Sequence, residues 1–264
     1  MTKKEKIKKR FADKLNAAVA DLSESISCPN GDWIVKGFID IAKNIYTISV
    51  DTKVVSKIVE LLIFPNLCTF AKNNNYKIIL SKEQNFYPDL TFVDGDGNKF
   101  AVDIKTTYRK DDQSVSGMTL GAFTGYFRDR KSSKNTTFPY DEYIGHFVLG
   151  IIYSRTGKEI DERKVYQIKD LKNIPSVITD FQFFIQEKYK IAIDRPGSGN
   201  TKNIGSVCKI NDLVNGNGPF AVLGENIFDD YWRNYLTNDM AKAAELEKPY
   251  YTNLQQYKTF KNIK

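Results

Sequence analysis

The sequence predicts a mixed α/β fold, and three observations carry that prediction. Apolar residues recur at steps of three or four over residues 3–22 and again after residue 52, the spacing of helix faces. They alternate with other residues in PDLTFV (88–93) and KFAVDIKT (99–106), the spacing of strands. Helical and extended stretches interleave along the 264 residues with no internal repeat and no clear linker. A mixed central sheet follows, in one large domain or two small ones.

Residues 3–22 predict an amphipathic helix with Ile7, Phe11, Leu15, Val19 and Leu22 on one face. Lys3, Lys4, Lys6, Lys8, Lys9 and Arg10 crowd its start, where the helix dipole disfavours cations. Its first turns are expected to fray or to touch an anion. Residues 33–50 predict two short strands around Ala42-Lys43-Asn44. A helix is expected from about Thr52, capped by Asp51 or Thr52, ending at Pro65, with Val55, Ile58, Val59 and Leu62 inward. KIILS (77–81) reads as a strand. Residues 138–153 read as a helical turn and then a buried strand. VYQI (165–168), FQFFIQ (181–186) and KIAIDR (190–195) are further strands, the last leading into a Gly-rich loop. Residues 228–247 predict one helix, and the polar, basic, aromatic end of the chain is expected to be loosely ordered.

Composition narrows the function. Residues are 41% hydrophobic and 13% aromatic, enough to bury a sizeable core. Lys+Arg total 39 against 32 Asp+Glu, a net charge of +7 that favours polyanionic partners. No run of about 18 apolar residues is present, so no membrane partner is expected. MTKKEKIKKRFADK is too charged for a signal peptide, which points to a cytoplasmic protein. Cys28, Cys68 and Cys208 are scattered and odd in number, as expected of free thiols in a reducing compartment. The single histidine, His146, lies in the apolar run HFVLGIIYS and reads as structural. One histidine cannot build a histidine-rich metal site. Neither GxxxxGK[ST] nor GxGxxG occurs, so no nucleotide cofactor is expected.

The strongest local signal is Pro88-Asp89 followed by Asp103-Ile104-Lys105. DGDGN (94–98) is a turn between two alternating runs. A turn centred on Asp96 pairs Val93 with Lys99, Leu90 with Val102 and Asp89 with Asp103. Leu90, Phe92, Phe100, Val102 and Ile104 then share one face, and Asp89, Thr91, Ala101, Asp103 and Lys105 the other. Opposed carboxylates repel unless a cation sits between them, and a divalent metal with oxygen ligands is the natural solution. Such a metal with a neighbouring lysine suits phosphodiester hydrolysis: Lys105 would orient the attacking water or stabilise developing charge. The Ile104 carbonyl could complete the coordination, and Glu60, on the polar side of the preceding helix, could add a carboxylate. D-x-K also occurs by chance. DGDGN resembles the start of a Ca²⁺ loop, but Lys105 stands where that loop needs Glu, so it reads as a turn. RPGSGNTKNIGS (195–206) could read a major groove or be a surface loop. RDRKSSKN (128–135) could contact phosphates or be a solvated charge run.

The ordered strings DTKVVSKIVELL, QNFYPDLTF, AVDIKTTY, TLGAFTGYFR, GSGNTKNIGS and DYWRNY together resemble the EcoRV-type family of type II restriction endonucleases, over residues 33–236. The motif PD…DxK alone would indicate only the broader nuclease superfamily. The resemblance implies a restriction endonuclease-like fold with an N-terminal dimerisation subdomain over 1–50 and a DNA-binding and catalytic domain over 51–264. It implies a homodimer that cuts duplex DNA at a palindrome, GATATC for the family, bluntly and with 5′-phosphate ends, using Mg²⁺ with Mn²⁺ as a substitute. Asp89 and Asp103 match the metal-binding carboxylates, Lys105 the catalytic lysine and Glu60 the auxiliary carboxylate. Gly197, Ser198, Gly199, Asn200, Thr201 and Asn203 match the major-groove recognition loop, and Gln84 and Asn85 the minor-groove loop. Thr52, Lys53, Thr106, Thr107, Thr124 and Lys134 fall at or near backbone-contact positions. Phe86 and Lys202 depart from the family pattern, RDRKSSKN is longer, the N-terminus is extended and the C-terminal tail is not similar. A superfamily nuclease for junction resolution or repair nicking, and a non-catalytic DNA-binding protein, are the rival readings.

Overall fold

The computed structural model describes residues 1–197 and 202–263. It opens with α1 (Lys3–Ala17). Thr2 Oγ1 accepts from Glu5 N at 3.2 Å, and the Glu5 carboxylate accepts from Thr2 N at 2.5 Å. This capping box and its acid offset the lysines crowding the first turn. Phe11 and Leu15 are fully buried, and the Phe11 ring meets Phe70 and Tyr76 edge-on at 6.4 and 5.4 Å. The single helix expected over 3–22 is instead two. At Ala18 the N–H bonds back to Leu15 O, which tightens the last turn, and α2 (Val19–Glu24) restarts the chain so that Leu22 still reaches the core.

β1 (Gly37–Ile39) and β2 (Asn44–Thr47) pair antiparallel, with Phe38 opposite Tyr46, as the sequence suggested. Lys43 turns the chain at φ 66, and the Asp40 carboxylate closes the turn on Asn44 N and Nδ2, both at 2.9 Å. α3 (Thr52–Asn73) starts where expected, with Asp51 Oδ1 accepting from Lys53 N at 2.9 Å and Val54 N at 3.1 Å. Replacing Asp51 by Ala should therefore cost about 1 kcal/mol of stability, read from the midpoint of urea unfolding. The expected stop at Pro65 is overturned, because α3 runs through it. Proline removes its own N–H bond and crowds the carbonyl one turn back, but Leu67, Phe70 and Ala71 continue beyond it the buried stripe that includes Ile63. Ile63, not Leu62, is the buried residue of that turn. α3 is long and apolar enough to cross a membrane by length and composition, but its stripe packs as core.

β3 (Lys77–Leu80), β4 (Leu90–Val93), β5 (Lys99–Tyr108), β6 (Thr119–Ala122), β7 (Tyr143–Arg155), β8 (Val165–Gln167) and β9 (Ile178–Glu187) follow. A 3₁₀ turn at Tyr140–Glu142 leads into β7, matching the expected helical turn and buried strand. The strand expected from Lys190 begins later: Lys188–Ile191 forms the short α4, and β10 (Ala192–Pro196) follows. β11 (Asn203–Ser206), α5 (Ile210–Asn215), α6 (Glu225–Asn234), α7 (Asn238–Ala243) and α8 (Leu254–Lys261) complete the chain. The helix expected over 228–247 is split because Tyr235 turns to extended backbone and buries its ring against Phe123, Trp232 and Tyr251; Thr237 Oγ1 then caps α7 at Met240 N. The end of the chain is not loose. Tyr251 and Tyr257 are buried, Tyr251 Oη donates to Tyr231 O at 2.6 Å, and Leu254 N donates to Asp194 Oδ2 at 2.9 Å.

Among the described residues three sheets result, with strand orders β1-β2-β8, β10-β11-β6 and β3-β4-β5-β7-β9, which is the mixed α/β architecture expected. The chain forms two compact units. One comprises residues 1–78, 104–116 and 149–185; the other comprises 79–103, 117–148 and 186–264. In the first unit, Arg109 pairs with Asp180 at 3.0 Å, and Gly150 is required because a Cβ there would lie 2.0 Å from the Phe184 ring. The second unit is built on aromatic side chains, among them Phe123, Phe127, Phe228, Tyr231 and Trp232, all buried.

Candidate active site

β4 and β5 pair antiparallel in the register that hydrophobic alternation dictates: Leu90 with Val102, Thr91 with Ala101, Phe92 with Phe100 and Val93 with Lys99. The turn between them is organised by Asp94 Oδ1, which accepts from Asp96 N at 3.0 Å and Asn98 N at 2.9 Å, while Gly97 takes φ 81. Asp89 lies in a bend one residue before β4, and Asp103 is one residue past Val102, the last paired position of β5. Leu90, Phe92, Phe100 and Val102 are buried, and so is the opposite face: Thr91 and Ala101 are fully buried and Asp103 is 4% exposed. Thr91 Oγ1 is 3.0 Å from Tyr143 Oη, so tyrosines roof this face.

The two carboxylates make themselves felt there. Burial pushes the Tyr126 hydroxyl well above its ordinary value, and the charges of Asp103 and Asp89 push it further. Tyr143 is pushed up to about 12, mainly by burial, with Asp103 contributing. Asp89 is half-buried. Two adjacent carboxylates of oxygen-only chemistry fit a hard divalent cation. Among the described residues no three His, Cys, Asp or Glu side chains are placed to hold a metal together.

Along β5, Lys105 stands two residues after Asp103 and therefore on the same side of the strand. Its Nζ donates to the Ile104 carbonyl at 3.4 Å. Glu60 pairs with Lys57 at 2.8 Å on α3. Ser56, one turn earlier on that helix face, shares a 2.5 Å hydrogen bond with Thr106 of β5. This contact faces the Glu60 side of α3 toward the strand carrying Ile104 and Lys105.

The other residues matched to DNA contacts are spread over several loops. Gln84 and Asn85 are exposed in the loop before β4, Thr52 and Lys53 are exposed at the start of α3, and Lys134 is exposed. Thr124 is half-buried, preceding the 3₁₀ turn Gly125–Phe127. Thr107 is buried and its hydroxyl donates to Ser116 O at 2.5 Å. Gly197 N donates to Asn203 O at 2.9 Å, which closes the base of the Gly-rich loop. Ser198, Gly199, Asn200 and Thr201 lie outside the described residues.

Part of RDRKSSKN turns inward. Arg130 pairs with Asp229 at 2.6 Å with its guanidinium over the Phe127 and Tyr140 rings, and Arg128 donates to Tyr235 O. Planar guanidinium groups pack on aromatic faces at little cost, so of the basic residues of this run Lys131 and Lys134 are the exposed ones. His146 is structural, as its apolar run implied: it stacks on Tyr140 at 3.8 Å, and its Nδ1 is 2.8 Å from Tyr87 Oη. Sequence reasoning missed the tyrosine stack formed by Tyr87, Tyr126 and Tyr140. Its one sequence trace is the aromatic residue directly before Pro88-Asp89.

Comparison with known proteins bears on the whole chain. A family model described as Restriction endonuclease EcoRV matches residues 29–262. The type II restriction enzyme EcoRV of Escherichia coli is 36% identical over 244 residues, 91% of this chain and 96% of that enzyme. Among solved structures, the NlaIV restriction endonuclease covers 94% of this chain and 95% of its own at 11% identity, with a TM-score of 0.41. The family match reaches residue 262, so the C-terminal stretch expected to be dissimilar falls inside it.

Proposed function

Because the chain belongs to the EcoRV restriction endonuclease family, and is therefore a type II restriction endonuclease, we propose that it hydrolyses both strands of duplex DNA at GATATC. The cut is blunt and central, leaves 5′-phosphates and uses Mg²⁺, for which Mn²⁺ substitutes. The observation that supports this reading is the β4–β5 register, in which Leu90 pairs with Val102, so that Asp89 and Asp103 each adjoin that last pair, with Lys105 two residues on. Asp89, Asp103 and the Ile104 carbonyl would hold the cation, with Glu60 as an auxiliary carboxylate. When bound, the ion supplies Lewis acidity and a more acidic water. Lys105 orients the attacking water and stabilises charge developing on the scissile phosphate. The loop from Gly197 to Asn203 reads the major groove with its Asn side chains. Gln84 and Asn85 approach the minor groove, and Thr52, Lys53, Thr106, Thr107, Thr124 and Lys134 position the backbone. A net charge of +7 per chain favours that docking. The protein acts in the cytoplasm without a nucleotide cofactor.

A palindrome calls for a two-fold symmetric reader. We assign the dimer contact to the β1-β2-β8 sheet and the segments flanking it. Phe38, Ile39 and Ile41 are 54%, 60% and 103% exposed, and Tyr46, Val165, Ile168 and Leu171 are also exposed. Such an apolar patch on one small sheet suits a second copy. Phe38→Asp combined with Ile39→Asp should give a folded monomer by sedimentation velocity; a variant that stays dimeric would move the interface elsewhere. The specificity itself is tested on a plasmid with a single GATATC. Mg²⁺ should allow linearisation, and changing one base pair of the site should block it. Equal cutting of the altered plasmid would refute the assigned target.

A further inference from the structure

Lys188 opens α4 with only 2% of its surface exposed. Its Nζ lies 4.0 Å from the centre of the Tyr87 ring and 5.9 Å from that of Tyr140. Burying an ammonium is costly, and an apolar chain of the same length would fill the space without that cost. The charge therefore asks for an explanation beyond packing. The ring beneath it belongs to the most firmly held residue near Asp89. Tyr87 packs on both Tyr126, at 4.9 Å, and Tyr140, at 5.7 Å. Its N donates to Asn135 O at 3.0 Å, and its carbonyl accepts from Thr137 N at 2.8 Å and Thr136 Oγ1 at 2.9 Å. Pro88 and Asp89 follow directly.

The ammonium also sits among the groups that sense the carboxylates. A Cβ placed on Gly121 would lie 3.5 Å from Lys188 Nζ and 3.1 Å from Tyr126 Oη, so both polar ends close on one point. Tyr126 is the ring on which both Asp103 and Asp89 act. In the chain direction, Lys188 leads through α4 into β10, which ends at the base of the 197–203 loop. We propose that Lys188 is a positioning residue, whose ammonium seated on Tyr87 fixes Asp89 against Asp103 and ties that segment to the strand leading to the recognition loop. The tie to the loop rests on the nuclease function proposed above. The contact is electrostatic, a cation on a ring face, so it needs the charge and not merely the volume.

The test compares Lys188→Met with Lys188→Arg in the full-length protein. Lys188→Met should lower single-turnover cleavage of a GATATC duplex by about 10- to 100-fold, the scale of losing a group that orients a ligand. Its Kd for the same duplex without Mg²⁺ should stay within about threefold, a loss in the chemical step and not in binding. Lys188→Arg, which keeps a cation on the ring, should recover most of the rate. Tyr87→Leu should show the same loss, and adding Lys188→Met to it should cost nothing more. If Lys188→Met does not fold, Lys188→Gln against Lys188→Arg makes the same comparison. Cleavage by Lys188→Met at the wild-type rate, equal rates for the Met and Arg variants, or a loss confined to Kd would each overturn the proposal. Wild-type protein that cuts no duplex would overturn the nuclease function and this inference together, an outcome visible before any variant is made.

Discussion

Asp103→Asn should reduce cleavage by about 10³-fold or more while leaving the fold intact. Asn has the same shape, so the buried position is filled and the β4–β5 register, set by Leu90, Phe92, Phe100 and Val102, is untouched. What changes is charge. On the proposed function Asp103 shares the cation with Asp89, so one negative charge of the pair is lost, with most of the reason for a cation to bind there. The loss is then of the order seen when a preorganised charge stabiliser is removed. Binding carries a second, opposite expectation. Without metal, two carboxylates repel the scissile phosphate, so removing one should tighten duplex binding in the absence of Mg²⁺ and not weaken it. Single-turnover cleavage and a metal-free Kd read both effects. A variant that cuts within about tenfold of wild type would remove Asp103 from the chemistry.

Lys105→Met should lower the cleavage rate by about 10²–10³-fold with KM within a few-fold of wild type. On the proposed function the half-buried ammonium acts where negative charge grows, on the phosphate in the transition state, and a DNA backbone bound by many cations would lose little from one fewer. Lys105→Arg should rescue poorly. The guanidinium is wider and planar, and cannot occupy the position from which Nζ now reaches the Ile104 carbonyl. If the loss falls in KM with the rate unchanged, Lys105 is a phosphate contact and not a catalytic residue.

The β4–β5 hairpin is legible in the amino-acid sequence because its cause is local. A period of two, a turn rich in Asp, Gly and Asn, and five apolar residues that must share a face leave one register, and that register is the one found. The start of α3 is legible for the same reason, since Asp51 caps within its own turn. The errors have long-range causes. Pro65 stops a helix locally, yet α3 continues because Leu67, Phe70 and Ala71 have a core to enter. The C-terminal residues look polar until Tyr251 and Tyr257 find Tyr231 and Asp230. Arg128 and Arg130 read as a charge run because Tyr140 and Asp229, which hold Arg130 together with Phe127, come from elsewhere in the chain. Lys188 and the tyrosine stack come from segments far apart in the chain, joined only by folding.

The central claim is that Asp89, Asp103 and Lys105 carry out metal-dependent hydrolysis at one palindrome. Its most direct test is to digest a fully mapped plasmid with purified protein and Mg²⁺ and sequence every end produced. The account predicts blunt ends with 5′-phosphates, all at the centre of GATATC, and none when Mg²⁺ is withheld. Random nicks, staggered ends, or the same products without a divalent cation would contradict it.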